Sequence, residues 1–192
     1  MIIPIGVDCE IADLCKKYHK RSCSLPFDWA VSYNGISKCI EDDFTQFIPP
    51  KNERINAYDV YFHHDFQTID MYDKDKEKYD RRVQRMIHML QTTTNDIVFC
   101  RKGHACHHHN EHNGKYTSII SDIEDAEKLN MLISEKYPNL NFKIHLILIC
   151  GMCFDKNTEY KSTSDNIQIY NIAAEKVESL EIDNCFCSIF KI

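Results

Sequence analysis

The chain has 192 residues, 43% of them hydrophobic and 27% charged, with a formal net charge of −6 at pH 7. Length and balance are ordinary for one soluble globular domain, taken as residues 1–192, that buries its own core. The acidic balance argues against a general nucleic-acid binder, which shows a basic surface, so no nucleic-acid partner is expected.

Ile2, Ile3, Ile5 and Val7 form an apolar run too short for a helix core and predict a buried strand. Asp8 is a good N-cap, and Ile11, Leu14, Cys15 and Tyr18 recur behind it at helical spacing, out to the basic His19–Arg21. Cys9 therefore falls where a strand end meets the first turn of a helix. Unpaired backbone N–H groups and the helix dipole favour a thiolate there, and the thiolate is the reactive form. The same position also suits a small packing cysteine. Gly6 suits a close backbone approach before the turn.

Leu25, Phe27 and Trp29 are available to the core from an irregular segment, with Asp28 among them needing a partner if buried. Asp28 reads as a loop anchor bonded to backbone N–H groups or as the orienting member of a triad. Ile36, Ile40, Phe44 and Phe47 give a second helical stripe, stopped by Pro49-Pro50. Val60–Phe62 predicts a short strand delivering His63, His64 and Asp65 into a loop. A histidine near a cysteine can act as its general base; a loop histidine can also simply be hydrogen-bonded in place.

A long helix follows, with Tyr72, Tyr79, Val83, Met86, Ile87 and Leu90 on one face. Arg81-Arg82 on it reads as surface pairing by default. Strand Ile97–Arg101 comes next. Arg101 at its end could bind a substrate carboxylate or phosphate, or tie the strand to an acidic neighbour. Residues His104–His112 hold five histidines, a glutamate and a cysteine, a set able to bind zinc, copper or nickel. Flanking Gly103, Asn110, Asn113 and Gly114 favour an exposed loop instead, and no metal is assigned.

Ile119 to Ile133 reads as the last helix, with Asp122, Glu124 and Asp125 near its start as the dipole prefers. Phe142–Cys150 is a near-continuous apolar run, as in a parallel strand buried on both faces. Cys150-Gly-Met-Cys153 has redox-motif spacing but reads as structural thiols. Ile167–Ile172 and Cys185–Ile189 predict two further strands.

Gly6-x-x-Cys9 after an N-terminal strand, then Pro26-Phe27-Asp28-Trp29, resembles the family of putative papain-like cysteine peptidases, first filed as a domain of unknown function. The likeness continues in Phe44-Thr45-Gln46-Phe47, Tyr61-Phe62-His63-His64-Asp65-Phe66, Tyr79-Asp80-Arg81-Arg82 and Ile97-Val98-Phe99-Cys100-Arg101. It covers roughly the first 150 residues in the same order. The resemblance implies a cysteine-centred site with Cys9 as nucleophile and His64, which matches its Phe-x-His-Asp pattern, as base. Asp28 is the guess for the third member and Arg101 for a substrate contact. Where the family usually has a small or hydroxyl residue before the cysteine, this chain has Asp8, whose carboxylate works against a thiolate. With the helix start and an imidazolium on the other side, the net expectation is a thiol pKa below the ordinary cysteine value of ~8.5.

The element order predicts an α/β single-domain sandwich with a largely parallel sheet flanked by helices; a papain-like α+β fold is the alternative. Ligands in such sheets sit at the carboxyl ends of strands. Two functions fit: a cysteine-dependent hydrolase, peptidase-like or acyl-transferring, on a peptide-like substrate without a cofactor, or a non-catalytic interaction or metal-binding protein that keeps the fold. Ten cysteines with no basic, apolar leader point to reduced thiols and an intracellular, cytoplasmic protein. The longest later apolar run, Ile144–Cys150, is far short of a membrane span, so no membrane partner is expected. Abundant Ile, Lys and Asn beside scarce Ala, Arg and Gly point to an AT-rich genome, such as that of a large DNA virus.

Overall fold

The computed structural model describes residues 1–103, 108–112, 115–119, 121–150, 160–162, 164–173 and 179–192. Its elements run β1 (Ile2–Pro4), α1 (Glu10–Lys17), β2 (Val31–Ser32), α2 (Ser37–Glu41), β3 (Val60–Tyr61) and α3 (Tyr72–Thr92). There follow β4 (Ile97–Gly103), β5 (His108–His112), β6 (Lys115–Ile119), α4 (Asp122–Lys136), β7 (Phe142–Cys150), β8 (Ile167–Ala173) and α5 (Ser179–Phe190). The central sheet has the order β1–β4–β7–β8, and each neighbouring pair is parallel.

Alternation along the strands decides which layer each side chain joins. Ile3, Phe99, Ile144, Leu146 and Leu148 face one side, where they meet Tyr79, Val83 and Met86 of α3 and Leu129 and Ile133 of α4. Ile2, Cys100 and Ile147 face the other side, against Ile11, Leu14 and Cys15 of α1 and Ile182 and Phe186 of α5. The sheet is thus a middle layer between helices, the α/β sandwich with a parallel sheet expected from the element order. The papain-like α+β alternative is not what the central sheet shows. The antiparallel pairs, β2–β3 and β5–β6, lie outside it.

Several boundaries differ from the sequence expectation. Cys185–Ile189 is not a strand but part of α5, because Ile182 and Phe186, four residues apart, are the positions that bury. Helix α2 stops at Glu41, since Asp43 and Phe44 take left-handed φ values of 48° and 62°. Phe44 and Phe47 still enter the core from the turn beyond it. Ile119 ends a strand, and α4 starts after Ser121, whose Oγ accepts the Ile123 N–H at 3.2 Å. Of the histidine run, His108–His112 is a strand paired with Lys115–Ile119 rather than a loop. Residues 104–107, and with them the run as a complete ligand set, lie outside the described residues, as does Gly151–Cys153 of the Cys150–Cys153 motif. No helix among the described residues is long and apolar enough to cross a membrane.

Candidate active site

Past Pro4 the chain continues beside β4, with the Ile5 N–H donating to Cys100 O at 2.9 Å and the Val7 N–H to Lys102 O at 3.3 Å. It then turns into α1 within two residues. A Cβ on Gly6 would stand 3.0 Å from the Asp8 carbonyl oxygen, so this turn needs glycine's small profile. Cys9, not Asp8, is the N-cap residue, and its carbonyl accepts the Asp13 N–H at 2.9 Å. Asp8 still serves the helix start, because its Oδ1 accepts the Glu10 N–H at 3.0 Å.

Ser32 hangs β2 on this turn. Its N–H donates to Val7 O at 3.2 Å and its Oγ to Gly6 O at 2.8 Å. β2 in turn pairs with β3, Val31 opposite Tyr61, and β3 runs directly into His63 and His64. Arg54 fixes that exit, its Nε and Nη2 donating to Phe62 O at 3.1 and 2.9 Å and Nη2 also to His63 O. The outcome is a cavity of about 220 Å³ lined by Asp8, Cys9, Trp29, Ala30, Val31, His63 and His64. The His64 ring stands edge-to-face to Trp29 at 6.2 Å between centroids, and His63 stands likewise to His64 at 4.8 Å. The two residues expected to form a nucleophile–base pair therefore both line a cavity at the carboxyl end of β1.

The other two expected site residues are placed elsewhere. Asp28 is fully buried, with its Oδ2 accepting from Arg21 Nη2 at 2.5 Å and from the Leu25 N–H at 2.9 Å. Burial raises its pKa, while the Leu25 N–H and Arg21 pull it back. It does not line the cavity; it anchors the segment that carries Trp29, the loop-anchor role the sequence also allowed. Arg101 is 1% exposed. It donates through Nε to Asp122, through Nη1 to Ile5 O at 2.7 Å and Ser32 Oγ at 3.2 Å, and through Nη2 to Ser32 O at 2.8 Å. Its planar fork is spent on holding β2 against β1, which leaves it out of the cavity rather than facing a substrate.

Electrostatics at the sulfur run against the sequence expectation. Cys9 is half-buried, and its thiol pKa is raised: burial is the main cause, then the carboxylates of Asp13 and Asp8. Its own backbone N–H and Lys102 pull it back without winning. The helix start does less than expected because its first turn carries Glu10 and Asp13. The resting group is thus a thiol, and a base must remove its proton.

A family model described as putative papain-like cysteine peptidase (DUF1796) matches residues 1–61 and 55–151. The chain belongs to this family. Comparison with curated proteins and with solved structures gave no match. The match to the putative papain-like cysteine peptidase family spans β1 to β7 and takes in Cys9, Trp29, His63 and His64. Trp29 of the cavity's lining, and Lys102 bonded to its Asp8, were not read from the sequence as site residues. Trp29 looked like core, though its segment's one buried carboxylate hinted at a fixed loop. Lys102 was passed over for Arg101, although alternation along a strand sends neighbours to opposite faces.

Proposed function

We propose that the chain is a cysteine-dependent hydrolase of the peptidase or acyl-transfer type, with Cys9 as nucleophile and His64 as general base. The observation that carries this reading is the single cavity lined by both residues, walled by Trp29, Ala30 and Val31. Cys9 Sγ attacks the acyl carbon while its proton passes to the His64 ring; first-turn backbone N–H groups other than that of Glu10, which Asp8 already holds, are the candidates for stabilising the oxyanion. His64 then gives that proton to the leaving group as the acyl bond breaks. Water, deprotonated by His64, cleaves the thioester and returns the thiol. Because Cys9 rests protonated, His64 acts during attack rather than as half of a standing ion pair. Asp28 contributes through Trp29, as a positioning residue.

Incubation with p-nitrophenyl acetate tests the reading. An acyl adduct on Cys9, seen by peptide mass spectrometry, and turnover lost in Cys9→Ser are expected. His64→Ala should cost on the order of 10²-fold or more in rate. Full turnover in Cys9→Ser would overturn it. The raised thiol pKa favours a second reading, a non-catalytic protein keeping the fold; absence of any adduct would select it.

A further inference from the structure

Cys9 carries three carboxylates close by in sequence, Asp8, Glu10 and Asp13, a set hostile to any negative charge on its sulfur. Among the described residues, one cation answers them. Lys102, next to last in β4, donates from Nζ to Asp8 Oδ2 at 2.5 Å and to Glu10 Oε2 at 2.6 Å. Its side chain is only 13% exposed, against 38% for Asp8 and 22% for Glu10, so solvent screens the cluster incompletely. The position follows from the fold. The Val7 N–H bonds to the carbonyl of Lys102, so the end of β4 lies alongside the strand-to-helix turn that presents Cys9. Arg101, one residue earlier, points to the opposite layer.

We propose that Lys102 is the positioning residue of the Cys9 site: it clamps the Asp8 and Glu10 carboxylates together and supplies the positive charge that lets a thiolate form at Cys9. The proposal rests on the reading of Cys9 as the site's nucleophile. Among the described residues, the charged and titratable groups around Cys9 are Asp8 from the turn, Glu10 and Asp13 from the first turn of α1, His63 and His64 from beyond β3, and Lys102 from β4. Tyr33 feels Asp8 from the start of the next loop. Lys102 is the one permanent cation in that set. Burial works against its charge, but hydrogen bonds to Asp8 and Glu10 more than compensate and raise its pKa. It therefore stays charged while the thiol titrates. Asp13 is left unclamped, which fits its place as the leading carboxylate acting on Cys9.

The test follows the ¹³Cβ signal of Cys9 against pH in cysteine-labelled protein, assigned by its loss in Cys9→Ser. Lys102→Met should move the titration midpoint upward by ~1 unit, the order expected for removing one positive charge that acts on the thiolate at intermediate dielectric. Lys102→Arg should restore most of it. Where Lys102→Met does not fold, Asp8→Asn/Glu10→Gln is compared with the same protein carrying Lys102→Met, which strands no buried pair and should show the same upward step. A midpoint unmoved in these comparisons, whatever happens to thermal stability, would make Lys102 a purely structural tie and overturn the proposal. The readout follows ionisation, not turnover. A Cys9 that titrates as expected but takes no acyl group would sink the hydrolase reading and leave the Lys102 assignment standing.

Discussion

The indole of Trp29 and the imidazole of His64 meet at 86°, their centroids 6.2 Å apart, on the wall of the cavity that holds Cys9. Trp29 is the only tryptophan in the chain, so its emission reports on this cavity without interference. Arg21 lies over the other part of the ring at 5.6 Å and ties it to the buried Asp28.

Carboxamidomethylation of Cys9 should consequently change the Trp29 emission maximum or intensity, with a time course matching incorporation at Cys9. Cys9→Ser treated identically should show no such change. Emission that stays constant while Cys9 is fully modified would mean that the indole does not sense the cavity.

Arg101 and Asp122 form an ion pair whose side chains are 1% and 6% exposed. Removing one member leaves the other charge buried, which costs about 3–5 kcal/mol. Asp122→Ala should lower the unfolding free energy by about that amount in urea titrations. Loosened β2 should also slow Cys9 acylation in whatever remains folded. A loss under about 1 kcal/mol would show that water reaches the guanidinium and that the tie is not structural.

The layered fold was legible because β4 and β7 are mostly buried and carry apolar runs, and the long helices carry one-sided stripes. Cys9 and His64 were legible as neighbours of one cavity because they lie at strand-to-helix and strand-to-loop junctions beside strand ends. What escaped was set by partners far apart in the chain. Arg101 looked like a free fork until Asp122, Ser32 and Ile5 came together around it. Asp28 found Arg21 nearby instead of His64. The C-terminal segment misled because a short run of Cys, Phe and Ile fits strand and helix alike; only Ile182, four residues before Phe186, discriminates.

His145 is held between the Tyr170 and Phe190 rings, at 5.5 and 5.7 Å, and its Nδ1 is 3.1 Å from Tyr170 Oη. Burial, then the charge of Lys143, pushes its pKa down from 6.5 to about 4. A base whose folded pKa is depressed stays neutral in the fold while the unfolded chain takes up the proton. Stability is full above pH 6.5 and is lost as pH falls from there toward 4. The loss from this group should reach about 2 kcal/mol between pH 7 and pH 5. Urea midpoints at the two pH values measure it, and His145→Phe, which keeps the stack and cannot titrate, should remove that part of the slope. An unchanged slope in His145→Phe would place the pH sensitivity elsewhere.

The thiols should separate into two classes under iodoacetamide near neutral pH. Cys15, Cys39 and Cys100 are buried. Burial pushes the Cys15 thiol up to about 12, with Asp28 adding to it, and raises Cys39 and Cys100 well above their ordinary value. They have neither thiolate nor access, and should react only as the chain unfolds. Cys9, Cys23, Cys185 and Cys187 are half-buried and within reach of reagent. Among these, Cys9 has carboxylates beside it and a raised pKa, so its rate should climb steeply with pH instead of levelling near neutrality. Asp13→Asn removes the strongest of the charges opposing its thiolate, from an exposed position in the first turn of α1. That variant should label Cys9 about threefold or more faster at pH 7.5, because its thiol pKa falls, without altering the rate at Cys23. Equal rates in Asp13→Asn and the unmodified chain would mean that desolvation alone holds the proton on Cys9. In that case the acidic first turn of α1 would have no part in tuning the site.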